Sequence, residues 1–371
     1  MNWQRSLTIY FFRRMKDELK QMMNLVINTE GNAPIYNCLL YVNNEKNGQL
    51  FSDAVGTTDA SGNAVNSAHR FRTGSITKLF TATIILQLIE ERSVKLEDMF
   101  FDLIDKETAE SLSKLHFSVQ TDLSNKITIL DLLQHSSGLA DYFSEDARFL
   151  NEVMQNPSKF WNWKLVIEKY FELELNTKAK FEPGKGFHYS DTNYLLLGIL
   201  IEQITKKTLQ DNYKERITVP FLLNDTFLEF YELPDQVAPK VYPYHGIYSL
   251  ENVNSSFDWG GGGLVSTTKD LDIFIRSLMK GNLFKNKESL EFFINTQNSY
   301  STIDKTNRSQ QYGLGIQKKE FNGFSFYGHT SAYGAMLYYA PDRDLSIVFS
   351  LNQIAAVLKA EWLMKKIVAK L

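Results

Sequence analysis

The sequence predicts an α+β fold, with one antiparallel sheet of about five strands built from both chain ends and flanked by helices, and a mainly helical region inserted between them. Three observations carry this prediction. Short apolar runs bounded by turn residues collect at 35–42 and 49–55, and again at 324–328, 335–340 and 345–351, the pattern of strands. Between these ends the apolar residues follow helical spacing, at 76–89, 129–134, 165–173, 193–204 and 270–279. The length of 371 residues allows one large domain or two smaller ones on a prior of about 150 residues per domain, with room for a substantial core.

Each element has its own signal. Residues 6–12 form a short apolar stretch preceded only by Arg5, followed by Arg13 and Arg14, and without a small-residue cleavage site. We read 1–14 as an N-terminal helical extension and 15–371 as one catalytic domain, with its sheet region at 15–74 and 265–371 and its mainly helical region at 75–264. With no export signal legible, the cytoplasm is the expected compartment. Residues 15–27 read as a helix, and the polar 43–48 as the hairpin turn between the first two strands. The helix from 76 is apolar nearly all round, which predicts burial at the centre of the molecule. Pro341, Asp342, Arg343 and Asp344 form the turn between the last two strands, and a final helix covers 353–371.

Composition removes several classes of function. Lys and Arg number 40 against 43 Asp and Glu, a net charge of −3, so no concentrated basic surface points to nucleic acid. The longest apolar run, 79–89, falls well short of the about 20 residues of a membrane-spanning helix. A single cysteine, Cys38, allows neither an internal disulfide nor a Cys-rich metal site, and the six histidines never fall in a HExxH pattern. The expected partner is a small-molecule or short peptide-like substrate, and nothing in the sequence sets an oligomeric state.

Three constellations could carry chemistry. Ser75 and Lys78 open the apolar helix, where a helix start leaves backbone N–H groups free for an anion and places the lysine one turn from the hydroxyl. A desolvated lysine there would have its pKa pulled below about 10.4 and could act as a neutral base. Ser-x-x-Lys recurs at Ser111, Ser266 and Ser277, but only Ser75 begins a helix of this kind. Taken alone, the tetrapeptide also reads as a helix cap with a snorkelling lysine. Residues 183–191 bring Tyr189 and Asp191 to a loop before a second apolar helix. Residues 328–332, Gly-His-Thr-Ser-Ala, end one strand and could supply a backbone N–H with hydroxyl and imidazole donors beside it. Separately, Tyr189 is also readable as a core aromatic and His329 as a polar residue of a sheet rim.

Together, Ser75-x-x-Lys78, then Tyr189-Ser190-Asp191 about 110 residues on, then His329-Thr330-Ser331, resemble the three-motif signature of penicillin-recognising serine hydrolases. The branch is that of class C β-lactamases, D-alanyl-D-alanine carboxypeptidases, D-aminopeptidases and related esterases. Leu132-Leu133-Gln134-His135-Ser136-Ser137-Gly138-Leu139 is similar to its Leu-Leu-x-His-Thr-Ser-Gly-Leu element, and Gly261-Gly262-Gly263-Leu264-Val265-Ser266-Thr267 to its Gly-Gly-Gly-Leu-x-Ser-Thr element. The resemblance covers roughly 35–351 and implies the β-lactamase/transpeptidase-like fold.

It implies Ser75 as nucleophile, Lys78 as its proton partner and Tyr189 as a second general acid or base. It also implies an oxyanion hole from the N–H groups of Ser75 and Ala332. Asp191, His329, Thr330 and Ser331 would contact substrate, and no metal or cofactor is needed. Three residues depart from the pattern: Asp191 stands for the usual Asn, His329 for the commoner Lys and Ser331 for the usual Gly. Loss of the permanent positive charge weakens the case for β-lactam hydrolysis and favours ester or D-amino-acid amide substrates. The aromatics Trp161, Trp163, Tyr142, Phe143, Tyr242, Tyr244, Tyr248 and Trp259 could furnish an apolar acyl pocket, or simply pack core and rim. The expected function is ester or amide hydrolysis through a Ser75 acyl-enzyme; the alternatives are acyl transfer to an alcohol or amine by the same nucleophile, and a catalytically silent ligand-binding relative.

Overall fold

The computed structural model describes residues 2–371 except 119–120, 235–237, 296–301, 304–308 and 355. Its main sheet has eight strands, all antiparallel to their neighbours: β1 (Asn37–Asn44), β2 (Gln49–Gly56), β3 (Thr302–Ile303), β4 (Ser309–Tyr312), β5 (Gln317–Phe321), β6 (Phe324–Thr330), β7 (Ala335–Ala340) and β8 (Leu345–Ser350). The order across the sheet is β3-β4-β5-β6-β7-β8-β1-β2. The first strand pairs with the last, Leu39 opposite Ser350, as strands drawn from both chain ends require.

The β1–β2 turn falls where the polar 43–48 stretch predicts it. The Asn44 side chain accepts from the Asn47 N–H, and Gly48 closes the turn at φ 62°, a left-handed value that glycine adopts without a Cβ penalty. Every residue of β7 and β8 is buried, because both faces of the sheet are covered. On the outer face, α1 (Asn2–Val26) and the C-terminal helix, Val357–Val368, bring Leu19, Met23 and Val26 together with Leu363, Met364 and Ile367 against Cys38, Leu40, Met336 and Phe349. The inner face packs on the larger core of the helical region.

Two departures from expectation have clear reasons. The sheet exceeds the five predicted strands through β3, β4 and β5. In β5 the apolar alternation is hidden by Lys318, Lys319 and Glu320, where Lys319 instead pairs with Glu361 of the C-terminal helix at 3.1 Å. The helices expected near 15–27 and in the extension are one continuous helix, α1, through residue 14; the side chains of 2–12 lie outside the described residues. Among the described residues, no helix is long and apolar enough to cross a membrane.

The helical region centres on α2 (Thr77–Glu90) and α3 (Asp191–Thr205), both almost wholly buried, as their unbroken apolar character predicts. A small three-stranded sheet joins Phe71–Arg72, just before α2, to Leu264–Ser266 after the Gly-rich run and to Phe227–Leu228. It anchors the start of α2 between the two regions.

Candidate active site

One tight turn, Gly74–Ile76, leads into α2, and Ser75 is the one residue between 71 and 86 that is not buried. Glycine is demanded before it. Gly74 has φ 51°, and a Cβ there would stand 2.4 Å from the Ser331 hydroxyl and 2.9 Å from the Tyr333 ring. The segment after β6 therefore rests directly on the residue preceding Ser75. Ser331 takes the room that Gly74 leaves free, and its Oγ accepts from the Tyr333 N–H at 3.1 Å.

Lys78 is fully buried and its ammonium has three acceptors. It donates to Ser75 Oγ at 3.3 Å, to the Gly261 carbonyl at 2.8 Å and to the Asp191 carboxylate. A Cβ on Gly261 would lie 3.0 Å from Asp191 Oδ1 and 3.5 Å from Lys78 Nζ, so the Gly-rich run serves close approach. Burial is the largest influence and would pull the Lys78 pKa down, as the sequence suggests, but the Asp191 carboxylate and then Tyr189 together outweigh it and hold it above the ordinary lysine value. This corrects the expectation of a neutral lysine: the resting site contains an ammonium–carboxylate pair.

Tyr189 reaches the same place from the loop before α3. Lys78 Nζ lies 5.0 Å from its ring centroid. Its hydroxyl is shielded from water and makes no well-aligned hydrogen bond, though Ser75 and Lys78 both stand close enough to influence it. Burial, partly opposed by Lys78, pushes the phenol up to about 12.

The third motif divides. His329 on β6 faces the helical region but is wholly buried, with Nδ1 2.8 Å from the Thr330 carbonyl and Nε2 3.1 Å from the Tyr312 hydroxyl. The carbonyl requires the proton on Nδ1, so Nε2 accepts from Tyr312. Burial, reinforced by Lys78, lowers its pKa to about 3, so the imidazole is neutral and sits within the wall against the Tyr189 and Tyr312 rings. Thr330 lies on the opposite face of the sheet: its register partner is Met336 of the outer core, and its hydroxyl meets Tyr338 at 2.8 Å. Strand alternation turns it away from the cleft, correcting the expectation that it contacts substrate. Ser331 is spent on Gly74. Ala332 is exposed, and among the described residues neither its N–H nor that of Ser75 donates to another protein group.

Several residues at the site carry no motif signal of their own. Asp141 is buried, accepts from the Asp191 N–H at 2.9 Å, and is raised by burial and then by Asp191. Asp258, partly exposed, accepts from the Tyr333 hydroxyl at 2.6 Å, and burial raises it to about 7. Of the aromatics expected to furnish an acyl pocket or to pack core and rim, several take the second role. Trp161, Tyr142 and Trp259 are core, Tyr142 donating to the Phe257 carbonyl at 2.8 Å, while Tyr248 is exposed. Among the described residues, no group of three His, Cys, Asp or Glu is placed to hold a metal ion.

A helical region meeting an antiparallel sheet at a Ser-x-x-Lys turn defines the serine β-lactamase and penicillin-binding-protein class. Residues 40–359 match the family described as Beta-lactamase, and the chain belongs to it. A putative D-alanyl-D-alanine carboxypeptidase of Escherichia coli O157:H7 is 24% identical over 260 residues, 62% of this chain and 57% of that relative. The chain thus spans little more than half the length of that relative. Beta-lactamase-like protein 4 of Dictyostelium discoideum is 28% identical over 225 residues, 58% of this chain and 36% of its own length. Among solved structures, a D-stereospecific amidohydrolase from Streptomyces sp. shares the fold with a TM-score of 0.76 at 22% identity, covering 93% of this chain and 97% of that one. A D-amino acid amidase from Ochrobactrum anthropi SV3 shares it with a TM-score of 0.75 at 19% identity, covering 96% and 100%.

Proposed function

We propose that this protein is a serine hydrolase that cleaves an ester or amide of a small molecule or short peptide-like substrate through an acyl-enzyme on Ser75. One observation carries the reading: a half-exposed hydroxyl at the mouth of a buried helix, 3.3 Å from a lysine that is itself fixed by a carboxylate and a carbonyl. As Ser75 Oγ attacks the carbonyl, its proton passes to Lys78 Nζ while Lys78 gives one to Asp191, leaving an ammonium beside a carboxylic acid; the added positive charge balances the new oxyanion. The carbonyl oxygen gains the electron pair, and the N–H groups of Ser75 and Ala332 face it; loss of one such donor typically costs about 2.7–4 kcal/mol. Tyr189, protonated at neutral pH, donates to the leaving amine or alcohol and recovers its proton from the Lys78–Asp191 pair. Water then attacks the ester by the reverse sequence, releasing the acid and restoring Ser75.

The charge of the cleft selects substrates. Its cation, Lys78, is already neutralised by Asp191, Asp258 adds a carboxyl that ionises near neutrality, and His329 is uncharged. Among these described residues, an anionic substrate meets no uncompensated positive charge, so neutral or amine-bearing esters and amides, including D-amino-acid amides, are favoured over β-lactams. Incubation with a fluorophosphonate followed by intact mass tests the reading: one adduct on native protein and none on Ser75→Ala is expected. No adduct on native protein, with native protein and Ser75→Ala equally inert toward a nitrophenyl ester, would leave only a binding role.

A further inference from the structure

The loop that carries Tyr189 is fastened on both sides to one residue. His188 N–H donates to the His135 carbonyl at 2.9 Å, and Ser190 N–H donates to His135 Nδ1 at 3.2 Å. The imidazole also lies against the Tyr189 ring, centroids 4.3 Å apart at 34°. Tyr189 is thus held before, after and across its ring by the same side chain and backbone.

We infer that His135 is a positioning residue, which sets the Tyr189 hydroxyl over Ser75 and Lys78; this rests on the acyl-enzyme reading above. The ring's own state is determined by its partners. A backbone N–H only donates, so Nδ1 must be an acceptor, and Asn193 Nδ2 donates to it as well at 2.9 Å. The Asn193 amide is oriented by the Ser137 hydroxyl, which donates to its Oδ1 at 2.6 Å, so the imidazole proton sits on Nε2. A second proton would confront two donors at Nδ1, and burial, with Lys78 adding to it, holds the ring neutral.

Backbone conformation supports the same role. His135 has φ 61°, a left-handed value that is strained for a non-glycine residue. Glycine would remove that strain, but it could not supply the Nδ1 acceptor or the ring face. The conformation aims carbonyl and imidazole toward the N–H groups of His188 and Ser190, on either side of Tyr189, and the rings of Tyr194 and Tyr312, centroids 5.3 and 4.8 Å away, close the remaining sides.

The test compares His135→Ala with His135→Asn, whose amide oxygen can replace Nδ1 as acceptor and which tolerates positive φ. Ester turnover, KM and thermal melting are measured for both, with fluorophosphonate labelling of native protein as the reference. In His135→Ala, kcat falls on the order of 10²-fold, the size expected when a catalytic group is misplaced by about 1 Å, while KM changes little. His135→Asn recovers most of that loss. A folded His135→Ala with wild-type kcat overturns the inference. If His135→Ala does not fold, a folded His135→Asn that has lost turnover as severely as Lys78→Ala overturns it. Absence of labelling on native protein would instead sink the acyl-enzyme reading itself.

Discussion

Two cations six residues apart, Arg72 and Lys78, are both buried and both paired with a carboxylate, yet their surroundings differ in kind. Arg72 donates to Glu229 at 2.7 Å and to the carbonyls of Leu250 and Val253 at 3.0 and 2.8 Å, and Lys240 closes the other side of Glu229. Carboxylate and guanidinium side chains are 8% and 2% exposed. Lys78 is as buried, but its partner Asp191 is 18% exposed, one of its hydrogen bonds goes to the half-exposed Ser75, and the Tyr189 hydroxyl beside it has no aligned partner. A closed, fully satisfied pair ties chain segments together; an open one with an unspent donor retains capacity for proton transfer.

The widest separation between the two pairs comes from removing each cation. Lys78→Ala lowers ester turnover by about 10³-fold or more while the protein still melts cooperatively, since residues acting as one catalytic unit lose most of their effect together. Full turnover by that variant would break the assignment of Lys78. Arg72→Met behaves oppositely, losing about 3–5 kcal/mol in urea unfolding because Glu229 is left buried with only Lys240, while kcat of the folded fraction stays near wild type. Lost turnover without lost stability would erase the distinction between the pairs.

Smaller effects sharpen it. Asp191→Asn removes the carboxylate that neutralises Lys78, and the ratio of penicillin acylation to neutral ester acylation rises about tenfold, equivalent to ~1.4 kcal/mol. An unchanged ratio in stopped-flow measurements would show that charge is not what excludes β-lactams. At the closed pair, burial would raise the Glu229 carboxyl, but Arg72 and then Lys240 outweigh it and hold it below its usual range. Its contribution is therefore complete above the unfolded carboxylate value of about 4.3 and is lost as pH falls through the lower folded value. Denaturation curves of Glu229→Gln flatten in that acid interval; an unaltered slope would mean that the pair is not what titrates. Least affected is Thr330→Val, which faces the outer core: it costs about 1 kcal/mol for its bond to Tyr338 and leaves kcat/KM unchanged.

The fold was legible where periodicity and burial agree. Strands at both chain ends and the two apolar helices follow from patterning, because two-sided burial in β7 and β8 writes continuous apolar runs. Patterning fails in β5, where Lys319 finds its partner on a helix some forty residues later. At the site, the family resemblance groups Ser75, Lys78, Tyr189 and Asp191, which spacing alone does not, and the geometry brings all four together. What pairwise motifs do not encode is direction and charge state. The Lys78 pKa depends on a carboxylate 113 positions away. Thr330 and His329 are adjacent in sequence yet on opposite faces, and the service of Gly74 to Ser331 appears only when two distant segments meet.

The pairing of β1 with β8 has a temporal consequence. A ribosome releases the first strand long before the last, so the nascent hairpin of β1 and β2 waits with one edge unpaired until nearly the whole chain has emerged. The wall that carries Ala332 meets the Ser75 turn only at that step. A chain cut short of β8 would therefore carry Ser75 and Lys78 at the start of a helix without the sheet wall that faces them.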